Sequence, residues 1–189
     1  LGEPGTSTLS AANYAFEGPD YEERAGISIA SAGDVDGDAL DDLLIGAPFN
    51  GTGGGRTNGV AYLVRASTLG EVSTINLIAA DYRFVGEGDS TFAGHSVSAA
   101  GDLDGDGLAD VIIGAGNSYA FDGNAYLLMG NGLGDTASLD TSDADFVLHG
   151  ETSNDWTGMS VSNAGDVDGD GLSDVLISSP GNNEGGADA

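Results

Sequence analysis

The chain has 189 residues and a formal net charge of −27, with 31 acidic residues against four arginines and no lysine. A field this negative repels phosphate, so it excludes nucleic-acid binding and disfavours anionic membrane surfaces. The lack of lysine argues against a helical bundle, the hydrophobic share of 40% argues against a disordered acidic tail, and the absence of cysteine excludes disulfides and thiolate sites.

Short β-forming runs follow one another along the chain. A first set of four lies at 27–32, 42–46, 60–64 and 81–85, and we label these runs strands A to D. Each run is rich in Val, Ile, Leu, Tyr or Phe and is bounded by Gly, Asp or Pro, which is typical of strands. No segment has a helical period, and no apolar run approaches the ~20 residues that span a bilayer, so no membrane insertion is expected. The sequence therefore predicts an all-β chain with four antiparallel strands in each unit.

The pattern repeats three times. Residues 26–48, 94–116 and 158–180 align without gaps, and the first aspartate of the acidic run falls at positions 34, 102 and 166. Repetition at 64 to 68 residues, with four short strands per repeat, is the pattern of propeller blades. We expect one segment over residues 1–189, with units of approximately 1–68, 69–132 and 133–189.

Four motifs recur in order: Phe-x-Gly, Gly-x-Ser-Val, Ala-Gly-Asp-x-Asp-Gly-Asp-Gly and Ile-Gly-Ala-Pro. In this the chain resembles the FG-GAP repeat of integrin α-subunits and of many secreted bacterial proteins. The resemblance implies β-propeller blades, here an incomplete propeller of about three repeats. The third copy departs from the pattern at Leu148 in place of Phe and at Ser178-Ser179 in place of Gly-Ala, and the second has Gly116 in place of Pro.

The connection from strand A to strand B reads Asp-x-Asp-Gly-Asp-x-Leu-x-Asp in every unit. Oxygen donors at alternate positions suit Ca²⁺, which takes six to eight oxygens at about 2.3–2.6 Å. Soft metals are not expected because the loops contain no His or Cys, and Mg²⁺ fits worse because it favours rigid octahedral sites. We expect three Ca²⁺ sites, built from carboxylates and one leucine carbonyl each: Asp34, Asp36, Asp38, Leu40 and Asp42; Asp102, Asp104, Asp106, Leu108 and Asp110; Asp166, Asp168, Asp170, Leu172 and Asp174.

Two other interpretations of these loops compete with a Ca²⁺ site of this kind. An EF-hand needs a bidentate glutamate at its twelfth position, where this chain has Ile45, Ile113 and Ile177 inside apolar strands. A solvated acidic turn that binds nothing is the second, since Asp and Gly favour turns in any case. In the first loop Ala39 replaces the glycine of the other two. If that position needs a positive φ, we expect weaker binding there.

No catalytic motif is present: the chain lacks a G-x-S-x-G elbow, a P-loop and an H-E-x-x-H pair. His95 takes a strand position filled by apolar residues in the other copies, and His149 is expected to pack or to face solvent. Trp156 is expected to plug a junction between blades rather than to stack on a sugar. Tyr62 and Tyr126 recur at one strand position and are expected to be fold residues. We therefore expect no catalytic residues and no organic cofactor.

The resemblance implies a Ca²⁺-stabilised extracellular or cell-surface segment that serves adhesion or protein interaction. The absence of lysine and cysteine favours a bacterial source. The expected partners are a protein, matrix or glycan ligand, further copies of the chain, or missing blades of the same propeller. Two alternatives stay open. One is a structural subunit of a filament or sheath assembled head to tail. The other is an accessory or catalytic propeller of a secreted enzyme acting on polysaccharide or lipid.

Overall fold

The computed structural model describes residues 12–51, 57–70, 74–116, 122–134 and 137–182. These ranges contain strands and short 3₁₀ helices, and no α-helix. The strands are β1 (Ala15–Glu17), β2 (Ser28–Gly33), β3 (Asp42–Ala47), β4 (Val60–Val64), β5 (Thr74–Asn76), β6 (Tyr82–Val85), β7 (Ser96–Gly101), β8 (Asp110–Gly114), β9 (Asn124–Leu128), β10 (Ser138–Asp140), β11 (Phe146–His149), β12 (Val161–Gly165) and β13 (Asp174–Ile177). The 3₁₀ helices are Tyr21–Glu23, Ala66–Thr68, Leu77–Ala79, Gly130–Gly132 and Thr141–Asp143.

Two complete four-stranded blades are present, and both follow the predicted order. Blade one is formed by β2, β3, β4 and β6, and blade two by β7, β8, β9 and β11, with neighbouring strands antiparallel. The first two strands of a third blade, β12 and β13, form a further antiparallel pair. The predicted strands A to D are confirmed to within one residue at each end. The fold class is therefore all-β, with propeller blades.

Two short strands were not predicted from the sequence. β5 lies between strands C and D of blade one and pairs in parallel with β1, and β10 in the next unit pairs in parallel with β6 of blade one. In both cases the segment that joins C to D reaches back to the outer strand of the preceding blade. The pairing links consecutive blades by backbone hydrogen bonds at their outer edge.

The largest core cluster lies between blades one and two. From blade one it takes Leu44, Leu63 and Phe84, and from blade two Val97 and Ile113, all of them buried. Full burial of one such side chain stabilises the folded chain by about 1.5–3 kcal/mol. A second cluster joins blade two to β12 and β13. Neighbouring blades thus bury apolar side chains against one another.

A glycine at the end of the second strand of blades one and two allows the next blade to approach. A Cβ built on Gly46 would lie 2.0 Å from the carbonyl oxygen of Gly94, and one on Gly114 would lie 2.1 Å from that of Gly158. The same carbonyls accept hydrogen bonds from serine hydroxyls of the preceding blade, at 2.8 Å from Ser28 and at 2.9 Å from its counterpart in blade two. The Ile-Gly-Ala motif is therefore explained by blade packing.

Candidate metal centre

The three acidic loops connect the first two strands of their blades. Loop one (34–42) connects β2 to β3, loop two (102–110) connects β7 to β8, and loop three (166–174) connects β12 to β13. Since each loop is the same connection of a repeated unit, all three lie at one end of the blades.

The first aspartate of each loop shapes the turn. In loop one the Asp34 carboxylate accepts hydrogen bonds from the backbone N–H groups of Gly37 at 2.7 Å and of Ala39 at 2.9 Å. Asp102 and Asp166 make the corresponding pairs of hydrogen bonds in loops two and three at 2.6 and 3.0 Å. The same geometry in all three loops folds each acidic run back on itself and brings other carboxylates of the loop together.

Three carboxylates converge in every loop. One oxygen from each lies within 4.8 Å of the others in the groups Asp34, Asp36 and Asp42; Asp102, Asp104 and Asp110; Asp166, Asp168 and Asp174. Oxygens on opposite sides of a Ca²⁺ ion are roughly 4.6–5.2 Å apart, so all three could reach one ion. Three hard, anionic donors with this spacing fit a Ca²⁺ site, in which the ion would neutralise the carboxylates and brace the turn.

In loops one and two, hydrogen bonds from backbone N–H groups hold the last aspartate of the loop in place. Asp42 is buried, and it accepts hydrogen bonds from the backbone N–H groups of Val35 at 3.2 Å and Ala66 at 2.8 Å. Asp110 is held in the same way by Leu103 at 2.7 Å and Gly130 at 2.9 Å. Each carboxylate thus joins the loop to the segment that follows strand C.

Burial raises the pKa of both Asp42 and Asp110 above the ordinary carboxylate value, and the negative charges of the neighbouring loop aspartates add to the shift. The hydrogen bonds from backbone N–H groups act in the opposite direction but are outweighed. Each site therefore concentrates negative charge where solvation is poor, and a bound cation would relieve it.

The third aspartate of each loop lies outside the convergent groups. Asp38 accepts a hydrogen bond from the backbone N–H of Leu40 at 2.8 Å, and Asp106 and Asp170 do the same with the leucines of their loops at 2.8 Å. These carboxylates brace the second half of the turn in the structure. Their role as ligands, and that of the leucine carbonyls, stay predictions.

Loop one differs from the other two in its surroundings. Arg65, which follows strand C, places its Nη1 atom 3.5 Å from Oδ2 of Asp36 and its Nε atom 3.1 Å from Oδ1 of Asp81. Ala39 has a φ of 66°, at the position where loops two and three have glycines with φ of 91° and 94°. The position therefore has a positive φ in all three loops, which is the condition on which weaker binding in loop one was expected. The weaker binding itself stays a prediction.

Loop two has a neighbour of another kind. The side-chain amide of Asn131 donates hydrogen bonds to Asp104 at 3.0 Å and to Asp106 at 2.6 Å. Sequence reasoning missed both Asn131 and Arg65, because it considered only residues within the acidic runs. The usable signal is position. Arg65 is the first residue after strand C in its blade and Asn131 is the third, in the segment whose backbone anchors the last loop aspartate.

The remaining side chains singled out from the sequence serve the fold. Tyr62 and Tyr126 are fully buried, as expected for fold residues, and each donates its hydroxyl to a glutamate at 3.1 Å. His95 is half-buried but lies one residue before β7, and so outside the strand in which it was expected, and His149 is exposed. Trp156 is 44% exposed, and its expected place as a plug between blades stays a prediction.

Comparison with known proteins agrees with this architecture. The FG-GAP repeat model matches residues 25–64, 93–128 and 157–189, more than half of the chain. The chain belongs to the FG-GAP family. Each match begins just before the first strand of a blade and contains one acidic loop.

Curated relatives of this FG-GAP chain are integrin α-subunits. It is 31% identical to integrin alpha-PS5 of Drosophila melanogaster over 89% of the chain and 16% of that protein, and 31% identical to integrin alpha-4 of Xenopus laevis over 77% of the chain and 13% of that protein. It is also 31% identical to integrin alpha-5 of Xenopus laevis, over 87% of the chain and 15% of that protein. The chain thus spans about a sixth or less of the length of these relatives. Within the residues that the structure describes, no helix is long and apolar enough to cross a membrane.

Proposed function

We propose that the chain is a Ca²⁺-stabilised segment of an extracellular β-propeller, from a secreted or cell-surface protein of bacterial type, that serves as a non-enzymatic adhesion or protein-interaction module. Membership of the FG-GAP family and the resemblance to integrin α-subunits support this proposal. The observation that carries it is the convergence of three carboxylates in each of three equivalent loops.

The proposed role of Ca²⁺ is structural. Each ion would join the turn that Asp34, Asp102 or Asp166 shapes to the buried aspartate that ends the loop, and so fix the first hairpin of its blade. An ion that binds the folded chain at one hundred times its dissociation constant stabilises it by about 2.7 kcal/mol per site. Three sites would contribute about 8 kcal/mol, which is comparable to the whole stability of a typical domain.

Thermal unfolding tests the metal proposal. We expect the Tm in millimolar Ca²⁺ to exceed that in excess chelator by roughly 15–30 °C, from 2–4 °C per kcal/mol in a chain of this size. Equimolar Mg²⁺ should restore little of the difference. The matched control is the triple variant Asp36→Asn, Asp104→Asn, Asp168→Asn, which keeps the side-chain shape and removes one carboxylate per site. Equal melting temperatures in Ca²⁺ and in chelator would refute the proposal.

The interaction role is tested separately. The labelled chain, loaded with Ca²⁺, is applied to arrays of extracellular-matrix proteins and of glycans, beside the triple variant. We expect saturable binding to at least one array component, and we expect chelator to abolish that binding, because loss of Ca²⁺ loosens the blades that present the binding surface. No saturable binding on either array would contradict an adhesion role. Turnover of array glycans would instead favour the enzyme alternative.

Apolar side chains are exposed on the outer faces of the first and last described blades. This exposure favours a further blade as a partner on each side. Ile29 is 73% exposed, whereas the equivalent residues Val97 and Val161 pack on the preceding blade and are 7% exposed. Leu176 is 63% exposed, whereas the equivalent Leu44 and Ile112 are fully buried. Each exposed residue occupies a position that blade packing buries elsewhere in the chain.

We therefore propose that blades of the same type cover both faces, supplied by the same polypeptide or by other copies. Light scattering of the chain in Ca²⁺ distinguishes the two sources. Concentration-dependent oligomers that Ile29→Asp dissolves would show assembly of copies, and a monomer at all concentrations would refute assembly of copies.

A further inference from the structure

Neighbouring acidic loops contact each other by the same hydrogen bond at both blade junctions. The backbone N–H of Ala109 in loop two donates to the carbonyl oxygen of Asp34 in loop one at 2.8 Å. The backbone N–H of Ser173 in loop three donates to the carbonyl oxygen of Asp102 in loop two at 2.9 Å. The three loops thus form a continuous chain of hydrogen-bonded neighbours.

A side-chain contact accompanies each of these hydrogen bonds. A Cβ built on Gly37 would lie 3.3 Å from Cδ2 of Leu108, and one built on Gly105 would lie 3.2 Å from Cδ2 of Leu172. Each leucine therefore lies over the glycine of the preceding loop. That glycine donates its N–H to the first aspartate of its own loop, so the leucine packs on the turn that orients this carboxylate.

These contacts join ligand positions directly. On the accepting side, the carbonyl belongs to Asp34, whose carboxylate is one of the convergent three. On the donating side, Ala109 stands between Leu108, a candidate carbonyl ligand, and Asp110, a convergent carboxylate. Ordering either loop therefore fixes backbone atoms next to the ligands of the other.

We propose that each acidic loop positions the ligands of its neighbour, so that the three Ca²⁺ sites bind cooperatively, with Leu108 and Leu172 as positioning residues. The inference rests on the proposed Ca²⁺ sites. An ion that orders one loop removes part of the ordering entropy that its neighbour must lose, and this gives positive coupling without a change of fold. Repulsion between bound ions acts in the opposite direction and is screened within about 8 Å at physiological salt.

Calorimetric titration of the chelator-stripped chain with CaCl₂ tests the proposal. We expect three ions per chain and a Hill coefficient above one. Asp168→Asn, which disables site three, should weaken binding at site two by roughly fivefold or more, the usual range of coupling between sites. Three ions bound independently, or with negative cooperativity, would overturn the coupling. A wild-type chain that binds no Ca²⁺ would instead refute the proposed function itself.

A matched pair of leucine variants separates coupling from general loss of stability. Leu172→Ala should lower the Hill coefficient while the chain still binds three ions. Leu148→Ala removes the same side chain from β11, outside the acidic loops, where it is 38% exposed, and should leave the coefficient unchanged. If the two variants give the same coefficient, the positioning role of the leucine is wrong.

Hydrogen exchange gives a readout that does not depend on affinity. In Asp168→Asn, loop three cannot hold its ion, but the Ser173 amide still faces the carbonyl of Asp102. We expect Ca²⁺ bound at site two to slow exchange of that amide several-fold. Exchange of Ser173 that does not respond to Ca²⁺ would show that the hydrogen bond does not transmit order between the loops.

Discussion

Ala39 is strained in the folded chain, and replacing it with glycine should relieve that strain. Its φ of 66° lies in the left-handed region, which costs a residue with a Cβ about 1–2 kcal/mol. Glycine adds about 0.4–1 kcal/mol of unfolded-chain entropy, which offsets part of the gain. Ala39→Gly should therefore stabilise the chain by roughly 0.5–1 kcal/mol and raise the Tm by about 1–4 °C.

The reciprocal variant isolates the same backbone effect in loop two. Gly107 has a φ of 91°, and a Cβ built on it would meet nothing within 4 Å, so the cost of Gly107→Ala is conformational rather than steric. We expect a loss of about 1 kcal/mol. Both variants are measured by thermal unfolding in chelator, where Ca²⁺ affinity cannot contribute. Ala39→Gly that lowers the Tm, or Gly107→Ala that leaves it unchanged, would refute the reasoning.

Three further predictions concern an ion pair, a buried phenol and a blade junction. With the other two sites disabled, Arg65→Met should raise Ca²⁺ affinity at site one by roughly two- to fivefold, because a partly exposed ion pair contributes about 0.2–1 kcal/mol; the converse Met129→Arg should weaken site two. Burial raises the pKa of the Tyr126 phenol from 10.0 to about 12. The protonated phenol therefore contributes its full stability below pH 10, and this contribution is lost as the pH rises towards 12. Tyr126→Phe should reduce the fall in the free energy of unfolding between pH 10 and 12, measured by urea unfolding. Gly114→Ala should lower the Tm, since its Cβ would lie 2.1 Å from a carbonyl of the next blade, whereas Gly88→Ala, with nothing within 4 Å, should not.

Each of these predictions has an outcome that contradicts it. Unchanged affinity in Arg65→Met would mean that the arginine does not compete with the ion for Asp36. A parallel decline of wild type and Tyr126→Phe between pH 10 and 12 would show that the phenol is not linked to folding. Equal melting temperatures for the two glycine variants would show that the blades can separate at Gly114 without cost.

The strands could be predicted because their determinants are local. Runs such as Val60–Val64 combine β-branched and aromatic residues and end at turn residues, so periodicity and punctuation are enough. β5 and β10 have three residues each and pair in parallel with a strand of the preceding blade. Their partners lie in another repeat unit, and no local pattern records such a pairing.

The candidate site, too, could be predicted from the sequence only in part. The spacing of aspartates within one turn indicates which carboxylates can converge, and nine of the predicted residues do so. Arg65 and Asn131 act on the loops from beyond the end of strand C, a contact that exists only after strands A, B and C have paired. Their effect on the loops depends on tertiary structure, which spacing within the acidic runs does not describe.

Direct counting of bound Ca²⁺ tests the central claim most simply. Equilibrium dialysis of the chelator-stripped chain against Ca²⁺ should give three ions per chain, falling to two in each of Asp36→Asn, Asp104→Asn and Asp168→Asn, with no ion retained in the triple variant. A chain that retains no Ca²⁺ at millimolar concentration, or that retains three ions in the triple variant, would contradict the assignment of these loops as cation sites.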